Sequence, residues 1–286
     1  MRMALKLSVV GLLSWSAVAL AADAPKLLAR GKYLMESVVA CGNCHGARGD
    51  KGELLPEKGL SGGMLFDEPP FKAYAPNITP DPATGIGKWT DKQLAKAIRE
   101  GIRPDKSLIG PPMPIPFYRN LSDRDLAAII AFLRAQPAVK NEVPKSKYNM
   151  PLPPAYGPAV QAVKAPSARD KVKYGEYLAN IAHCMECHTP RDEKGMLVTG
   201  SLGAGGQEFK GPWGVSVSRN LTPHPAGLKD WSDAQIAKAV RTGADRDGKP
   251  YRPPMGFEFY KNISDEDMGA LVAYLRSLKP AVVAAK

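Results

Sequence analysis

The sequence predicts an all-α protein of two tandem helical domains joined by a proline-rich connector. Three observations carry that expectation. Matching segments recur in the same order at an offset of 142–143 residues, each half holds three amphipathic helical patterns, and seven prolines crowd residues 137–166 between the halves. A period this long is a duplication of whole domains and not a solenoid. The expected layout is a leader at 1–22, domain 1 at 23–137, a connector at 138–167 and domain 2 at 168–286.

The leader comes first in the chain. Arg2 and Lys6 give a positive start, residues 7–20 are apolar, and Ala19-Leu20-Ala21 is a small-residue cleavage pattern, placing a cut near Ala21/Ala22. The apolar run is shorter than the roughly 20 residues that span a bilayer. The mature chain is therefore expected in the periplasm.

A helix is expected before each cysteine pair, in "ARGKYLMESVVA" and "KYGEYLANIA". The next opens with a capping box, Thr90 with Gln93 and Ser232 with Gln235, and closes at Gly101 and Gly243. Leu94, Ala97 and Ile98 fall on one face of it, as do Ile236, Ala239 and Val240. The last helix starts at Ser122 and Ser264. Leu126, Ile129, Ile130 and Leu133 then recur at helical spacing, as do Met268, Leu271, Val272 and Leu275. No stretch reads as a strand. The glycine-rich segments 45–88 and 188–230 are long, and long loops of that kind suggest that something other than protein fills the core. The prolines of the connector forbid long helices or strands there.

The formal charge of +11 falls to +9 once Arg2 and Lys6 are removed with the leader. The excess is spread along the chain without a basic block, so nucleic acid is not expected as a partner. An acidic protein or a membrane surface remains compatible with it.

All four cysteines lie in two copies of one pattern, "CGNCH" at 41–45 and "CMECH" at 184–188. Two disulfides would suit an exported chain, but a disulfide framework needs no histidine after each second cysteine. A thioredoxin-like pair would need a βαβ setting, and a zinc site would have to draw on two separate domains, each complete in itself. C-x-x-C-H is the attachment signature of a c-type haem. Cys41 and Cys44 are the candidate thioether positions of one haem, Cys184 and Cys187 of the other, with His45 and His188 as iron ligands. Two covalently bound haem c groups are expected.

The sixth iron position needs a further donor. Met113 and Met255 each stand in "PPM", 68 and 67 residues after the histidines and nine before the serine that opens the last helix. A thioether on a proline-stiffened loop suits that position, and His/Met ligation raises the haem potential. Met64, Met150 and Met196 have no counterpart in the other half and are assigned to packing. His183 and His224 are the competing donors for the second iron. Trp89, Trp231, Tyr118 and Tyr260 recur, either packing in the core or lining a haem. Arg99 and Arg241 recur also, either facing a propionate or standing exposed at a helix end.

These residues resemble the cytochrome c superfamily. More narrowly, "NITPDPATGIGKWTDKQLAKAIREG" at 77–101, "PPMP" at 111–114 and "LSDRDLAAIIAFLR" at 121–134, with their echoes in the second half, resemble the multihaem cytochrome c subunits of alcohol and gluconate dehydrogenases. The resemblance implies two cytochrome c-like domains and electron transfer from a periplasmic dehydrogenase to a quinone, cytochrome or oxidase, with possible peripheral membrane association. Fuller members of that group carry three C-x-x-C-H motifs, and this chain has two. Four propionates would lower the mature charge to about +5, compatible with transient docking on an acidic patch. The alternative is a dihaem enzyme, peroxidase-like or thiosulfate-oxidising, in which one haem is catalytic. The same "PPM" in both halves favours two similar, closed sites.

Overall fold

The computed structural model describes residues 14–211 and 213–283, with side chains from Asp23 onward. Residues 1–13 of the expected leader lie outside the described residues, and the backbone from Ser14 joins the first helix, α1 (Ser14–Glu36). No described helix is long and apolar enough to cross a membrane.

In the first half α1 is followed by the short α2 (Gly42–His45), the strands β1 (Leu65–Glu68) and β2 (Phe71–Tyr74), then α3 (Asp91–Glu100), α4 (Ile115–Tyr118) and α5 (Asp123–Arg134). The connector contributes β3 (Lys147–Tyr148). The second half repeats the order with α6 (Lys171–Ile181), α7 (Cys184–His188), β4 (Glu208–Gly211), β5 (Gly214–Val217), α8 (Asp233–Thr242), α9 (Phe257–Tyr260) and α10 (Asp265–Ser277).

The capped helices form where their sequences place them. Thr90 and Ser232 accept from the backbone N–H of Gln93 and Gln235, whose side chains accept in return from the cap N–H groups. Such a cap contributes about 1 kcal/mol. Gly101 and Gly243 close α3 and α8 in the left-handed region, at φ 69° and 66°. Ser122 and Ser264 cap α5 and α10.

The strands correct the expectation of a strandless chain. β1 pairs with β2 and β4 with β5, both antiparallel, inside the two segments read as long loops. Each of these strands is only four residues long; β1 and β5 are mostly exposed, β2 buries Ala73 alone, and β4 half-buries every second residue, runs too short to carry a clear strand signal. The fold is mostly helical with two small hairpins. The connector runs along domain 1. Lys147 and Tyr148 pair with Lys72 and Phe71, and the Tyr148 and Tyr156 hydroxyls donate to the carbonyls of Pro111 and Ile109, at 3.1 and 2.8 Å.

α1 packs on α5, and α6 on α10, with backbone against backbone. A Cβ on Gly31 would lie 1.9 Å from the Ala128 carbonyl oxygen, and one on Gly175 would lie 1.9 Å from that of Ala270. Alanine normally stabilises a helix interior relative to glycine by about 1 kcal/mol. Here the sign should invert: Gly175→Ala is expected to cost about 2 kcal/mol through overpacking, read as a lower Tm, and a Tm at or above wild type would refute the close crossing. Leu34, Leu178 and Leu121, all fully buried, lie in one apolar core that runs through both halves.

Candidate functional site

Each C-x-x-C-H motif is a single helical turn set off from the helix before it. Ala40 and His183, the residues preceding the first cysteines, take left-handed φ values of 50° and 45°. That reversal follows the end of the preceding helix, at Glu36 and Ile181, and redirects the chain into the short one. Non-glycine residues enter this region at a cost, and such positions cluster where a site demands them. Within the turn, His45 N–H donates to the Cys41 carbonyl at 2.9 Å. Residues at i, i+3 and i+4 share a helix face, so Cys41, Cys44 and His45 face one way. Cys184, Cys187 and His188 do the same.

The histidines are buried and oriented. His45 Nδ1 lies 2.9 Å from the Pro76 carbonyl oxygen, and His188 Nδ1 lies 2.7 Å from that of Arg219. A carbonyl only accepts, so the proton sits on Nδ1 and Nε2 keeps a free lone pair. This is how a metal-ligating imidazole is held by its outer partner. Burial, which favours the neutral ring, lowers both histidine pKa values against the smaller raising effect of the carbonyl bond.

The four thiols are free. Burial pushes them up, Cys41 and Cys187 to about 12 and Cys44 and Cys184 to about 11. At neutral pH they stand as neutral thiols. Among the described residues no three His, Cys, Asp or Glu side chains converge where a metal ion could be held by protein alone. Two neutral thiols and one imidazole with a free Nε2, all on one face, fit covalent haem attachment.

Met113 and Met255 sit in matching turns. Their carbonyls accept from Ile115 and Phe257, at 2.8 and 3.0 Å, as the chain enters α4 and α9. The peptide bonds Pro111–Pro112 and Pro253–Pro254 are both cis. The competing histidines are engaged locally. His224 Nδ1 accepts from the Ala226 N–H at 3.0 Å, and His183 Nδ1 lies 3.3 Å from Glu186 Oε2 with its ring edge-on to Tyr118. Arg99 and Arg241 serve the fold. Arg99 is buried and donates to the Leu121 carbonyl and pairs with Asp123, while Arg241 donates to the Ile263 carbonyl and to Asp265.

Sequence reasoning missed what supports the histidines. The Asn77 and Asn220 side-chain amides donate to the Val139 and Ala281 carbonyls, at 2.7 and 2.6 Å, and their oxygens accept from Thr79 and Thr222. This clamp fixes the residue just before each asparagine, and that residue supplies the carbonyl facing the histidine. The repeated "NITP" and "NLTP" were the available signal.

A family model described as Cytochrome c matches residues 28–137 and 172–279. A diheme cytochrome c-type protein of Cereibacter sphaeroides is 31% identical over 264 residues, covering 85% of this chain and 82% of its own. The cytochrome c subunit of the quinone alcohol dehydrogenase of Gluconobacter oxydans is 32% identical over 279 residues, 90% of this chain and 55% of the relative. The fructose dehydrogenase cytochrome subunit of Gluconobacter japonicus is 30% identical over 271 residues, 88% and 52%. The chain thus spans about half the length of these dehydrogenase subunits.

Proposed function

We propose that this chain, which belongs to the cytochrome c family, is a periplasmic dihaem electron carrier that accepts electrons from a dehydrogenase and delivers them to a respiratory acceptor. When bound, each haem iron takes up and releases one electron. The residues do the rest. Cys41 and Cys44, and Cys184 and Cys187, would anchor the two groups as thioethers. His45 and His188 would ligate through Nε2, with Met113 and Met255 on the opposite side. The buried imidazoles, oriented by the Pro76 and Arg219 carbonyls, carry this reading, because the arrangement is the same in both halves. A catalytic haem would ask for one site to differ.

The dehydrogenase donor is supported by the names of the relatives from Gluconobacter, and the export by the leader-like start of the sequence. The test is the absorption spectrum of the air-oxidised protein, with and without cyanide or peroxide. Two haems per chain, both low-spin with the far-red Met–iron band and slow ligand uptake, are the expected result. One high-spin haem that reacts rapidly with peroxide would replace the carrier with the enzyme reading.

A further inference from the structure

The two halves are tied by hydrogen bonds that cross. Tyr33 on α1 donates to Asp267 Oδ2 at 2.8 Å, and its oxygen accepts from the Ser264 N–H at 3.2 Å. Tyr177 on α6 returns the same pair, donating to Asp125 Oδ2 at 2.6 Å and accepting from the Ser122 N–H at 3.2 Å. Each tyrosine thus occupies the N-terminus of the other half's last helix, where backbone N–H groups lack helical partners. Arg30 joins the two sets. Its guanidinium is bidentate on Asp125, at 2.9 and 3.0 Å, and lies 4.0 Å from Asp267 Oδ2. Asp125 and Asp267 are only 4% and 5% exposed, so these bonds are little screened.

The same interface reaches both attachment turns. In the first turn, Asn43 Nδ2 donates to the Pro254 carbonyl at 3.4 Å, and a Cβ on Gly42 would meet the Phe259 ring at 2.8 Å. Beside the second turn, His183 meets Tyr118 of α4, with ring centroids 6.1 Å apart. Each C-x-x-C-H turn is therefore seated against the other half's methionine-bearing segment. A rotation of one half would move one turn relative to the other.

We infer that the crossed Tyr33–Asp267 and Tyr177–Asp125 pairs, joined by Arg30, are positioning residues that fix the mutual geometry of the two attachment turns and thereby set electron exchange between the two sites. This rests on the dihaem reading above. The step is the simplest redox event: one electron leaves the reduced site, which is oxidised, and enters the oxidised site, which is reduced. No bond forms and no proton moves.

The test is the Tyr33→Phe/Tyr177→Phe double variant of the full haem-loaded chain, which keeps both rings and removes both hydroxyls. Three quantities are read: the Soret circular-dichroism couplet, which depends on the relative orientation of two chromophores; the rate of electron equilibration within half-reduced protein after photoreduction; and the calorimetric unfolding profile. The expected result is a couplet reduced at least twofold, equilibration slowed tenfold or more, and one unfolding transition split into two, while the absorption spectrum of each site is unchanged. An unchanged couplet and rate would overturn the inference. Should the double variant fail to fold, Tyr33→Phe alone is measured, since its hydroxyl lies at the more exposed end; a smaller change in the same direction supports the inference, and no change overturns it. Wild-type protein with a single haem, or with no couplet, would instead remove the dihaem reading itself.

Discussion

Replacing both cysteines of the second motif, Cys184→Ser with Cys187→Ser, is expected to halve the haem per chain and to unfold most of domain 2. Segment 189–230 holds little regular structure beyond the four-residue strands β4 and β5. Cys184 and Tyr260 pack on the apolar core beside Met185 and Ile181, so the group attached there would be the centre around which those side chains close. A domain of this size has a net stability of about 5–15 kcal/mol. Removing a covalently held centre withdraws folding free energy in the way that metal removal does from a small metallodomain. The checks are the pyridine haemochrome yield per chain and the far-ultraviolet circular dichroism. Roughly half of the helical signal should go with the second haem. Because Tyr33 and Arg30 lose their partners in α10, the surviving half should also melt at lower temperature than it does in the wild type. One haem per chain with undiminished helicity would show that domain 2 folds without its cofactor.

The sequence was most legible where it repeats and where a local rule acts. The helices α3, α5, α8 and α10 announce themselves through serine or threonine caps, and α3 and α8 also through closing glycines, because capping is decided within four residues of chain. The attachment turns announce themselves through C-x-x-C-H, because i, i+3, i+4 geometry is local too. What the sequence left dark is non-local. Nothing in "GKY" or "YGEY" says that Gly31 and Gly175 lie under the carbonyls of Ala128 and Ala270, about 95 residues later. Tyr33 and Tyr177 recur in register, yet their partners lie in the opposite halves, a pairing no periodicity reveals. The hairpins are dark because strands of four residues are too short to show a clear alternation. The prolines of the connector say nothing of how Tyr148 and Tyr156 tie it to the carbonyls of the Met113 loop.

That last contact makes the two methionine loops unequal and bears on the second large effect. Met255→Ala is expected to leave the second haem without its sixth protein ligand. Its ferric spectrum should become high-spin, its far-red band should vanish, and its midpoint potential should fall by about 0.1 V or more, within the roughly 0.8 V that axial ligation spans. Met113→Ala should act on the first haem in the same direction. The two variants should differ in access. Tyr148 lies over Gly110, where an added Cβ would meet its ring at 2.6 Å, and Gly110 is buried. The equivalent position in the second half is the exposed Arg252, followed by the exposed Pro253 and Pro254. An incoming ligand meets the tyrosine ring of the connector at the first site, whereas at the second the equivalent carbonyl, that of Pro253, is held only by the small Ser216 hydroxyl of β5, at 2.6 Å. Cyanide should therefore bind faster to Met255→Ala than to Met113→Ala, by about tenfold if the connector must open first at a cost of ~1.4 kcal/mol. Stopped-flow mixing of the two ferric variants with cyanide measures the ratio. Equal rates would show that the connector does not guard the first site, and an unchanged spectrum in Met255→Ala would remove that methionine from the iron.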